Sequence, residues 1–213
     1  GVDRFACALL RLGVQKGDKV SVLFTNRPEW AVAEFAIDKI GAVVVPVNPR
    51  YSLQELEHIL LHSDSTTLVM MDRLQELDYV MMLGSLCPEF DRSIPGQLQC
   101  VRLPFLRNII VQGRPELQCA FDLDGLIEAE TAPDQAGLER IQSEVAADDI
   151  AHLPFTSGTT GKPKGVMTTH GQYIRFNLGF INGIGGFTEQ DRLLVAPPFS
   201  HNFGNSQGIL TPA

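Results

Sequence analysis

The chain has 213 residues, 44% of them hydrophobic and 20% charged, which is enough apolar material for a sizeable core and excludes the low-hydrophobicity, high-charge signature of disorder. Lys and Arg number 17 against 25 Asp and Glu, and the resulting net charge of −8 speaks against nucleic acid or an anionic membrane surface as the main partner. No apolar stretch reaches the roughly 18 residues that suggest a transmembrane segment, and the densest, residues 42–47, is interrupted by Pro46. No secretory signal is evident. Cys7, Cys87, Cys100 and Cys119 show no CxxC spacing, so they read as plain thiols of a reducing, cytoplasmic compartment.

Val2, Phe5, Ala6, Leu9 and Leu10 recur at helical spacing, with Gly13 placed for a left-handed stop. Lys16-Gly17-Asp18 supplies a turn into a buried strand at residues 20–24. Asn26 is expected to cap a second helix that carries Pro28 in its first turn and ends before Gly41. Residues 43–47 are β-branched, and Ser52-Leu53-Gln54-Glu55 has the form of a capping box opening a helix through Leu61. Residues 67–71 read as a third strand. Residues 84–105 lose periodicity and are expected to be a surface excursion, before a strand at 108–111 and a short helix at 122–130. The polar stretch 131–149 reads as a linker. Strands follow at 150–155 and 192–195, with a helix over 171–182 between them. Strands alternating with helices imply right-handed crossovers and an α/β fold of mostly parallel sheets flanked by helices. The division expected is a first α/β subdomain over 1–147 and the start of a second over 148–213.

The most biased segment is Thr156-Ser157-Gly158-Thr159-Thr160-Gly161-Lys162-Pro163-Lys164-Gly165, with four hydroxyls, three glycines and two lysines in ten residues. Glycines let backbone N–H groups approach closely, hydroxyls donate to phosphoryl oxygens and lysines neutralise charge, so the segment suits a polyphosphate. It is not a Walker loop, because only two residues separate Gly158 from Gly161 and Pro163 follows Lys162. It also lacks the leading pair of a dinucleotide fingerprint, and Phe155 stands where a nucleophile elbow needs Gly.

The string from Leu153 to Gly165 resembles the signature loop of the AMP-forming adenylating superfamily, which includes acyl-CoA synthetases, aryl-acid ligases, peptide-synthetase adenylation domains and luciferases. Residues 41–51 resemble its upstream Gly-Ala-x-x-x-Pro-x-Asn-Pro-x-Tyr segment. Pro198-Phe199-Ser200-His201-Asn202-Phe203-Gly204 resembles its acyl-pocket motif. The flavour, with Asn48-Pro49-Arg50-Tyr51 and Leu86-Cys87-Pro88-Glu89, is nearest to bacterial fatty-acyl-CoA synthetases. The resemblance implies that a carboxylic acid attacks the α-phosphate of Mg-ATP to give acyl-AMP, after which coenzyme A displaces AMP. It assigns ATP phosphates to Thr156, Ser157, Gly158, Thr159, Thr160, Gly161 and Lys164, Mg2+ to Thr160 or its neighbour Thr159, and the acid to His201, Asn202, Phe203 and Gly204. No catalytic side chain is assigned, and a homodimer is an assembly open to it. The acid is expected to be fatty or medium-chain, with an aryl acid or a carrier-protein acceptor as alternatives, since the His201-Asn202 pair resembles aryl-acid ligases.

Three weaker patterns are set aside. His58 and His62 are four apart, but Ile59 replaces the Glu of a zinc-protease motif, so they read as surface histidines. Gly186-Phe187-Thr188-Glu189 imitates the family's adenine motif, although it precedes the acyl-pocket motif, and is read as a loop. The paired acids Asp122 with Asp124 and Asp148 with Asp149 read as solvated element ends. Because the chain starts on Gly1 and lacks the family's ribose, hinge and C-terminal lysine elements, it is expected to be an N-terminal slice of a longer enzyme, inactive by itself or retaining only folding and nucleotide binding.

Overall fold

The computed structural model describes residues 1–156, 163–184, 188 and 190–210. A seven-stranded sheet runs in the order β11-β8-β2-β1-β3-β6-β7. Its strands are β1 (Lys19–Leu23), β2 (Val43–Pro46), β3 (Ser65–Met71), β6 (Asn108–Gln112), β7 (Phe121–Asp122), β8 (Ile150–His152) and β11 (Thr168–Thr169). All neighbours are parallel except β11, which is antiparallel to β8. The expected α/β fold is present. The first 147 residues supply five of the strands, and β8 and β11 extend the same sheet beyond β2.

Helix α1 (Val2–Arg11) ends as its glycine foretold. Gly13 has φ +80°, its N–H donates to Leu10 O, and the N–H of Val14 donates to Leu9 O, with both Val14 and Leu9 buried. Helix α2 (Pro28–Lys39) ends the same way at Gly41, φ +69°, through bonds from Gly41 N to Asp38 O and Ala42 N to Ile37 O. α2 carries the chain from β1 to β2 on one side, and α3 (Leu53–His62) carries it back past β1 to β3. Crossovers of one hand that run in opposite directions lie on opposite sheet faces. Accordingly α1 packs on α2, α5 (Leu123–Ala129) and α6 (Gln135–Ser143), whereas α3 packs on α4 (Tyr79–Leu86) and β3. Trp30, Phe5, Leu9 and Ile37 are among the fully buried side chains of the core. A small antiparallel hairpin, β4 (Arg73–Leu74) with β5 (Leu77–Asp78), precedes α4.

Four expectations are corrected. Residues 84–105 are more than a surface excursion: most are exposed, but Leu86, Cys87 and Phe90 are fully buried and Leu98, Cys100 and Leu103 nearly so. Short-range bonds such as Phe90 N to Cys87 O and Leu103 N to Cys100 O satisfy the backbone locally, so apolar side chains cover the core without periodicity. The linker over 131–149 contains α6, capped by Asp134 accepting from Gly137 N at 2.9 Å and anchored by buried Leu138. The strand over 150–155 divides into β8 and β9 (Phe155–Thr156) around Pro154. Residues 192–195 form no strand. Asp122 caps α5, and Asp149 accepts from Ala146 N and pairs with Lys16 at 2.7 Å, so one member of each acidic pair serves the end of an element.

Candidate functional site

In an open parallel sheet, ligands bind beyond the carboxyl ends of the strands, where the loops collect. The loops after β1, β2 and β8 leave by that edge. The loop after β8 enters β9, which pairs antiparallel with β10 (Lys164–Gly165). The register sets Lys164 opposite Thr156, so the two described ends of the hydroxyl-rich segment meet at the base of a hairpin. Both residues are exposed, and among the described residues no carboxylate pairs with Lys164. Ser157, Gly158, Thr159, Thr160 and Gly161 lie outside the described residues, as does Lys162.

His58 is more than the surface histidine expected from its spacing. Its Nε2 lies 2.9 Å from Pro163 O, within the described end of the segment, while the ring lies tilted against His62 with centroids 3.9 Å apart. α3 is set at its start by the capping box foreseen in the sequence: Ser52 Oγ accepts from Glu55 N, and Glu55 Oε2 accepts from Ser52 N at 2.8 Å. Bonding to the Ser52 backbone and hydroxyl holds the Glu55 carboxyl below its ordinary value.

The second motif is built by Asn26, which does not cap α2; Arg27 occupies that place, without a side-chain cap. Asn26 reaches instead across the chain, donating Nδ2 to Pro197 O at 2.9 Å and accepting from Phe199 N at 2.8 Å. This fixes the approach to α8 (Asn202–Asn205). Gly204 is buried where a Cβ would meet Pro197 O at 2.6 Å and stand closer still to Pro198 O, so only glycine fits. His201 is exposed and turns back to accept from Phe203 N at 3.2 Å, capping α8. Phe203 is also exposed. Asn202 lines a cavity of about 340 Å³ with Thr168, Gln172, Tyr173, Phe176 and Ser206.

That cavity joins the chain just after the hydroxyl-rich segment to the segment that resembles an acyl-pocket motif. Gln172 stands in it because Thr169 and Gln172 reciprocally cap α7 (His170–Ile184), with Thr169 N donating to Gln172 Oε1 at 3.0 Å and Gln172 N to Thr169 Oγ1 at 3.2 Å. Thr169-His170-Gly171-Gln172 has the spacing of a capping box, a signal the sequence reading passed over. Below the cavity, Asn205 Nδ2 donates to Glu34 Oε2 at 2.5 Å, and Ser206 Oγ to Asn177 Oδ1 at 2.5 Å. Glu34 is fully buried, which pushes its pKa up to about 7 despite the nearby His152. Burial alone would lower the His152 pKa, but Asp38 and Glu34 beside it outweigh burial and raise it. Burial, then the charges of Glu34 and Asp38, push the Tyr173 hydroxyl well above its ordinary range. The region that imitates the adenine motif, residues 185–187 with 189, lies outside the described residues.

Comparison with known proteins places this geometry. The chain is 40% identical over 206 residues to YngI of Bacillus subtilis (strain 168), which carries the name of an acyl-CoA synthetase, covering 96% of the chain and 37% of that protein. It is 33% identical to the mitochondrial medium-chain acyl-CoA ligase ACSF2 of Danio rerio, covering 97% of the chain and 34% of the relative. The chain therefore spans about a third of the length of the curated relatives it matches. Among solved structures, the anthranilate CoA ligase AuaEII in complex with anthranoyl-AMP superposes with a TM-score of 0.77 at 27% identity, over 99% of this chain and 36% of that one. The N-terminal domain of FACL13 from Mycobacterium tuberculosis superposes at 0.74 and 25% identity, over 99% and 46%. The model of the AMP-binding enzyme family matches residues 1–213, so the chain belongs to that family.

Proposed function

We propose that the chain is the phosphate-binding and acid-binding part of an ATP-dependent, AMP-forming carboxylic acid:CoA ligase. The observation that carries this is the β9–β10 hairpin, which sets Thr156 opposite an exposed Lys164, with no carboxylate partner among the described residues, on a strand-to-loop connection rich in hydroxyls and glycines. Phosphoryl chemistry depends mostly on position and charge. Lys164, with Thr156 and the Ser157–Gly161 donors of the loop, would hold the β- and γ-phosphates as pyrophosphate departs, and Thr160 or Thr159 would reach Mg2+. The exposed Thr156 and Lys164, with no competing carboxylate among the described residues, fit that load. Bound Mg-ATP would supply the α-phosphorus to the acid, and coenzyme A would then take the acyl group from acyl-AMP. Asn26 orders the segment leading to His201 and Asn202, and the cavity floored by Tyr173 and Phe176 accepts the acid's tail.

The acid is medium-chain or fatty in this reading, supported by likeness to medium-chain acyl-CoA ligases. Asn202 in a partly aromatic cavity favours the second reading, an aryl acid, as does likeness to an anthranilate CoA ligase. The test is to supply the complete enzyme with ATP, CoA and a panel of aliphatic and aryl acids. An acyl-CoA product is expected; acyl-AMP without a CoA thioester removes CoA from the proposal, and turnover confined to aryl acids selects the second reading.

A further inference from the structure

Behind the cavity lies a polar cluster that the phosphate hairpin does not use. Glu34 and Asp38 are one turn apart on the same face of α2, and His152 meets them from the end of β8. His152 Nε2 is 3.4 Å from Asp38 Oδ2 and 3.6 Å from Glu34 Oε1. The Glu34 side chain is 0% exposed and that of His152 1%. Trp30 Nε1 at 2.7 Å and Asn205 Nδ2 at 2.5 Å both donate to Glu34 Oε2. Among the described residues, Glu34 Oε1 and Asp38 Oδ1 have no hydrogen-bond partner and no Lys or Arg pairs with either acid.

Carboxylate oxygens buried without a donor are costly, and here each of two acids that flank one imidazole has such an oxygen. One ligand atom from each of the three side chains lies within 4.8 Å of the others. A tetrahedral ion with ligands at about 2.0–2.1 Å spaces its donor atoms roughly 3.3–3.4 Å apart, close to the separations seen here. Two carboxylates and a neutral imidazole leave a divalent ion electrically balanced inside the protein. Trp30 and Asn205 orient Glu34 with one oxygen free, as outer partners of a ligand do.

We propose that Glu34, Asp38 and His152 bind a divalent transition-metal ion, zinc first by the mixture of imidazole nitrogen and carboxylate oxygen. Asp38 and His152 also line a cavity of about 280 Å³ with His170 and Tyr173, which gives the ion a route in and leaves a fourth position for solvent. The ion would clasp α2 to β8 and, through Asn205, hold the start of the acyl-pocket helix.

The test uses metal alone, without nucleotide, so its result is independent of the proposed ligase activity. Chelator-treated protein should take up about one equivalent of Zn2+ at this cluster, melt at a higher temperature with Zn2+, and give visible ligand-field bands with Co2+. His152→Asn and Glu34→Gln should each weaken uptake by more than about 100-fold. Asp38→Asn, at the more exposed ligand, should weaken it too, with circular dichroism confirming the fold. A Cys87→Ser, Cys100→Ser variant controls for the other convergent group, Cys87, Glu89 and Cys100, and should leave these readouts unchanged. The proposal is overturned if uptake is not saturable, if His152→Asn binds as the parent does, or if the cysteine variant abolishes the signal; shared protons would then neutralise the cluster.

Discussion

Asn26 and Gly204 hold one loop from two sides. The Asn26 amide bonds the carbonyl of Pro197 and the N–H of Phe199, while Gly204 lets the start of α8 lie against the carbonyls of Pro197 and Pro198. Replacing Asn26 with Leu removes both bonds at an exposed position, at a cost of about 1–2 kcal/mol in loop order. The expected kinetic result is a roughly tenfold rise in KM for the acid with a small change in melting temperature; an unchanged KM contradicts the positioning role. Gly204→Ala places a methyl where two carbonyl oxygens already stand, and is expected to destabilise the protein by about 1–3 kcal/mol in denaturant melts. Both residues were present in the sequence, yet their reasons were not: Asn26 looks like a helix cap because its true partners lie about 170 positions away.

At the scale of elements, two capping boxes set the helices that flank the site. Ser52 with Glu55 starts α3, which carries His58 to the carbonyl of Pro163, and Thr169 with Gln172 starts α7 at the cavity. Ser52→Ala is expected to cost roughly 0.5–2 kcal/mol. Glu55 has a lowered pKa in the folded state, so its contribution is present above the ordinary Glu value, about 4.3, and is lost as pH falls through the folded value. Stability curves between about pH 5 and pH 3 should therefore fall more steeply for the parent than for Glu55→Gln; parallel curves would show that the box contributes nothing through ionisation. The first box was legible because Ser and Glu precede an apolar run. The second was hidden because Gly171, at its second helical position, weakens the helical signal. Helix α6 was hidden by polarity: Leu138 is fully buried and Ile141 packs partly on the core, while most of the helix is solvated.

For the whole molecule, alternation of buried strands with helices made the α/β class legible, since both-face burial produces runs such as residues 43–47. The strand order was not, because nothing local tells β3 to lie beside β1 or β8 to lie beside β2. Residues 84–105 show the complementary limit, as irregular backbone with local bonds buries Phe90 and Cys100 without any period to read. The candidate site was legible in part, with the hydroxyl-rich segment found by composition and residues 198–204 by their resemblance to the family's acyl-pocket motif. The polar cluster of Glu34, Asp38 and His152 is assembled only by packing α2 on β8, residues more than 100 positions apart. The central claim is that the β9–β10 hairpin presents a phosphate-binding loop, and titration of ATP into the parent and Lys164→Ala proteins tests it most directly. Loss of one charge-assisted contact should weaken binding roughly 10- to 100-fold, whereas equal affinity in the two proteins would contradict the account.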